Sequence, residues 1–457
     1  MSLTVIGPAI IALGLIVLTC KPHSLVYYVL FFAPFSATAV VNFTSLGYKN
    51  GGVGLTPAIL FLFLFFVAQI LYGNVFQPLR VSRGHVIQLA LIGAFSLECI
   101  ALLLCTAAMR GITSYQVTQT IYLFISIFCT FALSLELARG NALEMAVTVL
   151  RASATFVSLW GLLQLFCFVA DLPYPSSIFN NSLSDFADSF DENLGDITRI
   201  ASVAVEPSFF AAAMLHFGAF GATVLIYEKR FRSWEWIVPV AVTLATLMLS
   251  TSTTAYLGVA VLVLLLLMQQ PRRTMFAVAP MVAAALLAIV MVPKIQNVLL
   301  ITTFEKGSTF SYQDRLEHMQ LALDMFLKAP LFGWGWASIP SLNILTMLLA
   351  NVGIIGTILA LAAGASTLID LWIGRSNVRS NGDWKLVAYA AGAQNALIVS
   401  FACAVTSGFK YVVLDDACYW AIAIAITTRL AIGQSSNTVY RQRTGWDDAH
   451  ATLSLHE

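Results

Sequence analysis

The stretch ITRIASVAVEPSFFAAAML, Ile197 to Leu215, places an arginine and a glutamate at the head of an apolar run. Glu206 directly precedes Pro207, and proline suits the first helical turn, where its missing N–H would be orphaned anyway. A carboxylate at that position is favoured by the helix dipole, and Arg199, seven residues upstream, can pair with it. The same two charges also fit a functional cleft, because held charge marks reactive sites as well as structural ion pairs. A second constellation is STFSYQDRLEHMQLALDMFLKAPLFGWGW, Ser308 to Trp336. Apolar residues at 316, 319, 323, 326 and 327 predict a helix there. Arg315 and His318 share one face of it. The guanidinium fork suits phosphate oxygens; the plainer alternative is a membrane-surface helix with Arg315 paired to Asp314 or Glu317. Trp334 and Trp336 can stack on sugar rings or anchor the chain at a membrane interface. Tyr312, in the same stretch, joins the binding candidates. Lys410, in GFKY, can draw in an anionic headgroup or stand solvated in a loop. The acidic run at 185–196 lacks the Asp-x-Asp-x-Asp-Gly spacing of a calcium loop. It reads as a solvated face, and no metal site is expected.

The elements that position these residues must be membrane spans. The chain has 457 residues, 59% hydrophobic and 10% charged, against roughly 25% charged in a soluble domain. With a mean hydropathy of +0.84, a soluble fold of this size is excluded. A net charge of +1 gives no electrostatic footprint for nucleic acid. The first apolar stretch lacks a basic leader and a small-residue cleavage site, so it reads as a retained helix. Seven cysteines lie in or at the ends of apolar runs, with no CxxC and no disulfide framework. Thirteen segments are candidate spans: roughly 3–20, 25–45, 55–73, 86–108, 113–136, 145–170, 205–227, 235–250, 252–269, 274–292, 341–372, 386–406 and 413–433. Each approaches the ~20 mostly apolar residues that a crossing needs. The expected fold is an all-α polytopic membrane protein of about 12–14 transmembrane helices. It forms a single domain over 1–433, followed by a polar tail, 434–457, expected to be disordered.

Loop charge orients the spans, because cytoplasmic loops gather Lys and Arg. EKRFR (Glu228–Arg232) and the Arg272–Arg273 pair flank the eighth and ninth candidates, so STSTT between them is a hairpin tip on the opposite side. Extending the alternation puts fifteen of the 24 basic residues inside, eight outside and Arg151 within a span. The N-terminus is then external and the C-terminus cytoplasmic. Two long polar segments, Asp171–Ala204 and Pro293–Pro340, fall outside, with the STSTT tip and TSGFKYVVLDD (Thr406–Asp416). On this topology His318 is the only histidine in an outer loop. Within the spans Glu98, Arg151 and His216 are costly. Each reads as a functional group or as a satisfied contact between helices.

R-x6-EPSFFA opening a span, the polar STST hairpin, DRLEHMQLALDMFLKAPLFGWG in an outer loop and NILTMLLANVGIIGTILAL after it together resemble the O-antigen polymerase and O-antigen ligase superfamily. The likeness covers about Arg199 to Leu361, and the first half matches only as a hydrophobic multi-span chain. The resemblance implies a GT-C-like glycosyltransferase of the Wzy type in the bacterial inner membrane, with its active site facing the periplasm. Its donor would be an oligosaccharide repeat unit on undecaprenyl diphosphate. An acceptor hydroxyl on a second lipid-linked unit would attack the anomeric carbon, with inversion and without metal or cofactor. Arg199 and Arg315 resemble family arginines by position and would neutralise charge on the diphosphate. Glu206 resembles the family glutamate and would orient or deprotonate the hydroxyl; His318 is the second candidate base. Two departures stand out: ASIPSLNILTML holds Ser341 and Asn343 where the ligase branch has a histidine, and STSTTAY stands where members often carry Ser-Arg. Both favour a polymerase of exopolysaccharide, capsule or O-antigen chains over a ligase acting on lipid A core. A flippase and a chain-length regulator are the implied partners. The alternative readings are a ligase moving glycan to another acceptor and a lipid-linked oligosaccharide transporter, though no pair of similar halves supports the transporter.

Overall fold

The computed structural model describes residues 2–43, 53–72, 83–182, 193–194, 197–227, 234–276, 310–379, 383–406 and 414–432. Helices dominate: α1 (Gly7–Cys20), α2 (Leu25–Phe32), α3 (Pro57–Leu71), α4 (Arg83–Arg110), α5 (Ser114–Leu137), α6 (Ala142–Val169), the single turn α7 (Ser176–Phe179), α8 (Pro207–Tyr227), α9 (Trp234–Leu249) and α10 (Thr253–Gln269). A short α11 at 271–276 follows, then α12 (Phe310–Lys328), α13 (Ile344–Arg379), α14 (Trp384–Thr406) and α15 at 414–432. Six of these, α4, α5, α6, α8, α13 and α14, are long and apolar enough to cross a membrane. The protein is therefore an all-α polytopic membrane protein. Shorter apolar helices occupy five more of the predicted segments, and α15, carrying Asp415, Asp416 and Arg429, fills the last. Most of the remaining candidate, 274–292, lies outside the described residues.

One predicted span changes character. Segment 25–45 is helical only to Phe32, because Pro34 has no N–H with which to continue the ladder. The chain beyond it is extended. Val41–Phe43 pairs with Ser2–Leu3 and Val53–Leu55 in a three-stranded antiparallel sheet. Non-helical backbone is tolerated beside lipid only where protein covers it, and Ala37 to Asn42 are indeed buried. Their polar groups are met from afar: Ala37 N donates to Val203 O (3.0 Å), Ala39 N to Asn181 Oδ1 (2.7 Å) and the Thr38 hydroxyl to Phe179 O (2.6 Å).

α8 is the axis of the bundle, buried along most of its length against α9, α10 and α14. α4 lies at the periphery, turning Val86, Leu97 and Leu104 outward. Polar contacts hold it to its neighbours. Gln88 bonds Thr367, His85 approaches the Thr428 hydroxyl (3.3 Å), Glu98 faces Gly356, and the Thr106 hydroxyl lies 3.3 Å from Trp334 O. One end of the bundle collects the basic loops. There His23 and Arg139 meet Glu136 (3.3 and 2.8 Å), Lys385 meets Glu144 (2.9 Å), Arg151 meets Glu235 (2.9 Å) and Arg273 donates to Ile226 O (2.9 Å).

At the other end α13 is two helices joined at Gly353, whose φ of 63° and ψ of −165° are open to glycine. A break of this kind strands backbone donors and acceptors. The loop after α12 inserts its own backbone to meet them. Ile354 N donates to Pro330 O (2.9 Å) and Ile355 N to Leu331 O (3.3 Å), while Trp334 N and Gly335 N donate to Ala350 O (3.0 Å) and Asn351 O (2.8 Å). The Asn351 amide closes the lock by exchanging bonds of 2.9 Å with Ile339 N and O.

Candidate functional site

Arg199 and Glu206 stand at the two ends of a buried turn segment, Ile200–Val205, in which Ser202 takes a φ of 52° and Ala204 N donates to Ala201 O (2.9 Å). Gln164 of α6 holds this segment by accepting from both Ala201 N (3.1 Å) and Ser202 N (2.7 Å). The Ser202 hydroxyl donates to Val157 O (2.6 Å), and the Asn180 amide donates to Ser202 O (2.7 Å). Behind Asn180 a chain continues: Tyr174 OH donates to Asn180 Oδ1 (2.9 Å) and Trp160 Nε1 donates to Tyr174 OH (2.6 Å). Burial pushes the Tyr174 phenol up, so its hydroxyl stays a donor. Gly161 admits the segment, since a Cβ there would come 2.8 Å from the Ile200 side chain. Gln164→Leu strands two amides at about 1–3 kcal/mol each; the expected result is a clearly lowered thermal midpoint of the purified protein, and an unchanged midpoint would contradict this account.

Glu206 serves as the backbone cap of α8, its carbonyl accepting from Phe209 N and Phe210 N (both 3.1 Å). Its half-buried carboxylate accepts from the Ser208 hydroxyl. Arg199, also half-buried, lies close enough to Tyr256 of α10 to act on it electrostatically. The expected turn at STSTT is present, with α9 ending at Leu249 and α10 starting at Thr253. From there the contacts run on: Cys403 of α14 reaches Thr254 O (3.7 Å), and the Asn343 amide bonds Val405 O. The mouths of α8, α10, α13 and α14 thus meet at the end remote from the basic loops.

Arg315 and His318 sit on α12, which packs on α13. His318 Nδ1 lies 2.8 Å from the Asp314 carbonyl and 3.3 Å from its carboxylate. Nδ1 therefore carries the proton and Nε2 is the basic nitrogen. Glu206 bonds Ser208 and His318 bonds Asp314, so each candidate base is held by a neighbour on its own element. Trp334 donates its indole N–H to Met325 O (2.7 Å), and the Arg110 guanidinium covers one ring face at 4.1 Å. Sequence reasoning missed Arg110, whose only signal is a cation at the outer end of a span. Trp336 is corrected from a sugar-stacking candidate to a core residue: it is buried between Phe95 and Gln119. The side chain of Tyr312, all of Lys410 and most of the acidic run lie outside the described residues. Among the described residues no group of three His, Cys, Asp or Glu is placed to hold a metal ion.

A many-helix bundle of long apolar helices defines a polytopic membrane protein. Residues 238–355, from α9 to just beyond the break in α13, match the O-antigen ligase family (Wzy_C). This stretch is about a quarter of the chain, and it supports the O-antigen polymerase and ligase superfamily, a glycosyltransferase-like group. The match supports a function of that broad type. No curated protein matches the chain in sequence.

Proposed function

We propose that the protein is a polymerase of the Wzy type. It joins undecaprenyl-diphosphate-linked oligosaccharide units into an exopolysaccharide, capsule or O-antigen chain at the periplasmic face of a bacterial inner membrane. One observation carries this reading. The family match falls on the segment that supplies the STSTT turn, Arg315, the α13 break and Tyr256, the residue that feels the Arg199 charge. The cationic opposite end supports a cytoplasmic assignment for it. The acceptor hydroxyl attacks the anomeric carbon, and Glu206 takes its proton. The leaving diphosphate draws on Arg199 and Arg315. Lys410, Tyr312 and Trp334 complete the binding set, with His318 as the second base. A flippase and a chain-length regulator are the partners this chemistry would need.

A ligase is the second reading, favoured by the description of the matched family. Asn343 argues against it, because its Oδ1 caps α13 by accepting from Leu345 N (2.9 Å) and Thr346 N (3.3 Å). The region where the ligase branch carries a histidine holds Ser341 and Asn343 here, and Asn343 is a helix cap. Reconstitution with lipid-linked repeat units decides between them. The polymerase gives a ladder on a chain-length gel that collapses to single units in Glu206→Gln and Arg315→Ala. Transfer to a different acceptor without a ladder means ligase, and no transfer at all means transporter.

A further inference from the structure

The reaction leaves one cluster unused. His216, in the middle of α8, is 2% exposed, in a chain that places few charges inside its helices. Its Nε2 is 2.9 Å from Asp416 Oδ1, and its Nδ1 is 3.1 Å from the Ala212 carbonyl and 4.0 Å from Asp415 Oδ2. A carbonyl only accepts, so Nδ1 carries a hydrogen. Asp416 Oδ1 also accepts from the Ser400 hydroxyl of α14 (3.1 Å), so it faces Nε2 as a close negative charge, out of line for a hydrogen bond. Both aspartates occupy the first turn of α15, where the helix dipole favours the carboxylate form. The Tyr419 ring lies flat on the imidazole at 4.7 Å and 17°, an arrangement that favours a cation. Asp415 borders a small cavity whose other walls include Leu30, Leu150 and Phe217.

We propose that His216 holds a buried proton as an imidazolium clamped between Asp416 and Asp415, and that this cluster is a positioning lock fixing α8, and with it Glu206, against α14 and α15. The groups facing the imidazole from these elements are Asp415, Asp416 and Tyr419 of α15 and Ser400 of α14. Ten residues, roughly 15 Å of helix, separate His216 from Glu206, so the cluster acts through α8 and touches no reacting atom. Removing one partner of a buried pair leaves the other charge uncompensated.

The proton is tested without any glycan. In ¹⁵N-histidine-labelled protein at neutral pH, the His216 resonances should show both ring nitrogens protonated, and Asp416→Asn should convert the ring to a neutral tautomer. His216→Gln identifies the signals; should it fail to fold, replacing each of the other histidines in turn identifies them by elimination. A wild-type His216 with one bare nitrogen overturns the proposal. The positioning role rests on the glycosyl-transfer reading. At equal amounts of folded protein, Asp416→Asn should lower transfer roughly tenfold, with Asp416→Glu restoring most of it. Equal transfer by Asp416→Asn and wild type would remove the lock. No transfer by either would instead count against the polymerase reading and leave the NMR result standing.

Discussion

Gly353→Ala should leave little folded protein. The backbone there combines φ 63° with ψ −165°, a region essentially closed to residues with a Cβ, at about 1–3 kcal/mol of strain. A Cβ would also run into the Leu331 carbonyl, the acceptor for Ile355 N. Displacing that loop breaks bonds whose loss costs about 1–3 kcal/mol each where no water replaces them. The expected result is loss of the monodisperse peak in fluorescence-detected size-exclusion chromatography, or a thermal midpoint many degrees lower. Gly93→Ala is the control, since nothing lies within 4 Å of a Cβ there and alanine favours a helix by about 1 kcal/mol. Equal behaviour of the two variants would show that the break adapts to a side chain.

Glu206 offers the second large effect, and its two roles can be separated. Its carbonyl caps α8 whatever the side chain is, while its carboxylate is held by Ser208. Aspartate is a strong capping residue, so Glu206→Asp should melt no lower than wild type. Glycosyl transfer should nevertheless fall on the order of a hundredfold, because losing one methylene withdraws the carboxylate by more than about 1 Å. Glu206→Gln should lose about 10²–10⁴-fold while remaining folded. A fully active Asp variant with a destabilised Gln variant would reduce Glu206 to a cap.

The local signals in the sequence were good guides. Pro207 starts α8 where EPS suggested, the turn at STSTT is real, and loop charge grouped Arg139 and Lys385, which meet Glu136 and Glu144. Three kinds of feature were hidden. The break at Gly353 lies inside ANVGIIG, where a glycine in an apolar run changes neither composition nor period. The cradle of Ile200–Val205 uses Trp160, Gln164, Tyr174 and Asn180, ordinary polar and aromatic residues of one upstream stretch that form no motif. His216 was noticed as an expensive residue, but its partners Asp415 and Asp416 lie two hundred positions on, beyond the reach of periodicity.

The pairing of α4 with α13 has a consequence for the membrane itself. At ~1.5 Å per residue, 28-residue α4 extends about 42 Å and the part of α13 beyond its break at Gly353 nearly as far, against a hydrocarbon core of about 30 Å. A free helix of that length would choose its lean to suit the local lipid. These two cannot lean independently, because Gln88 and Thr106 fasten α4 to α13 and its loop at two depths. The protein sets the tilt, and the bilayer has to follow. Thin or thick lipids should then deform around a rigid wall, and Arg110 and Trp334 at its outer lip keep a fixed height relative to the rest of the mouth.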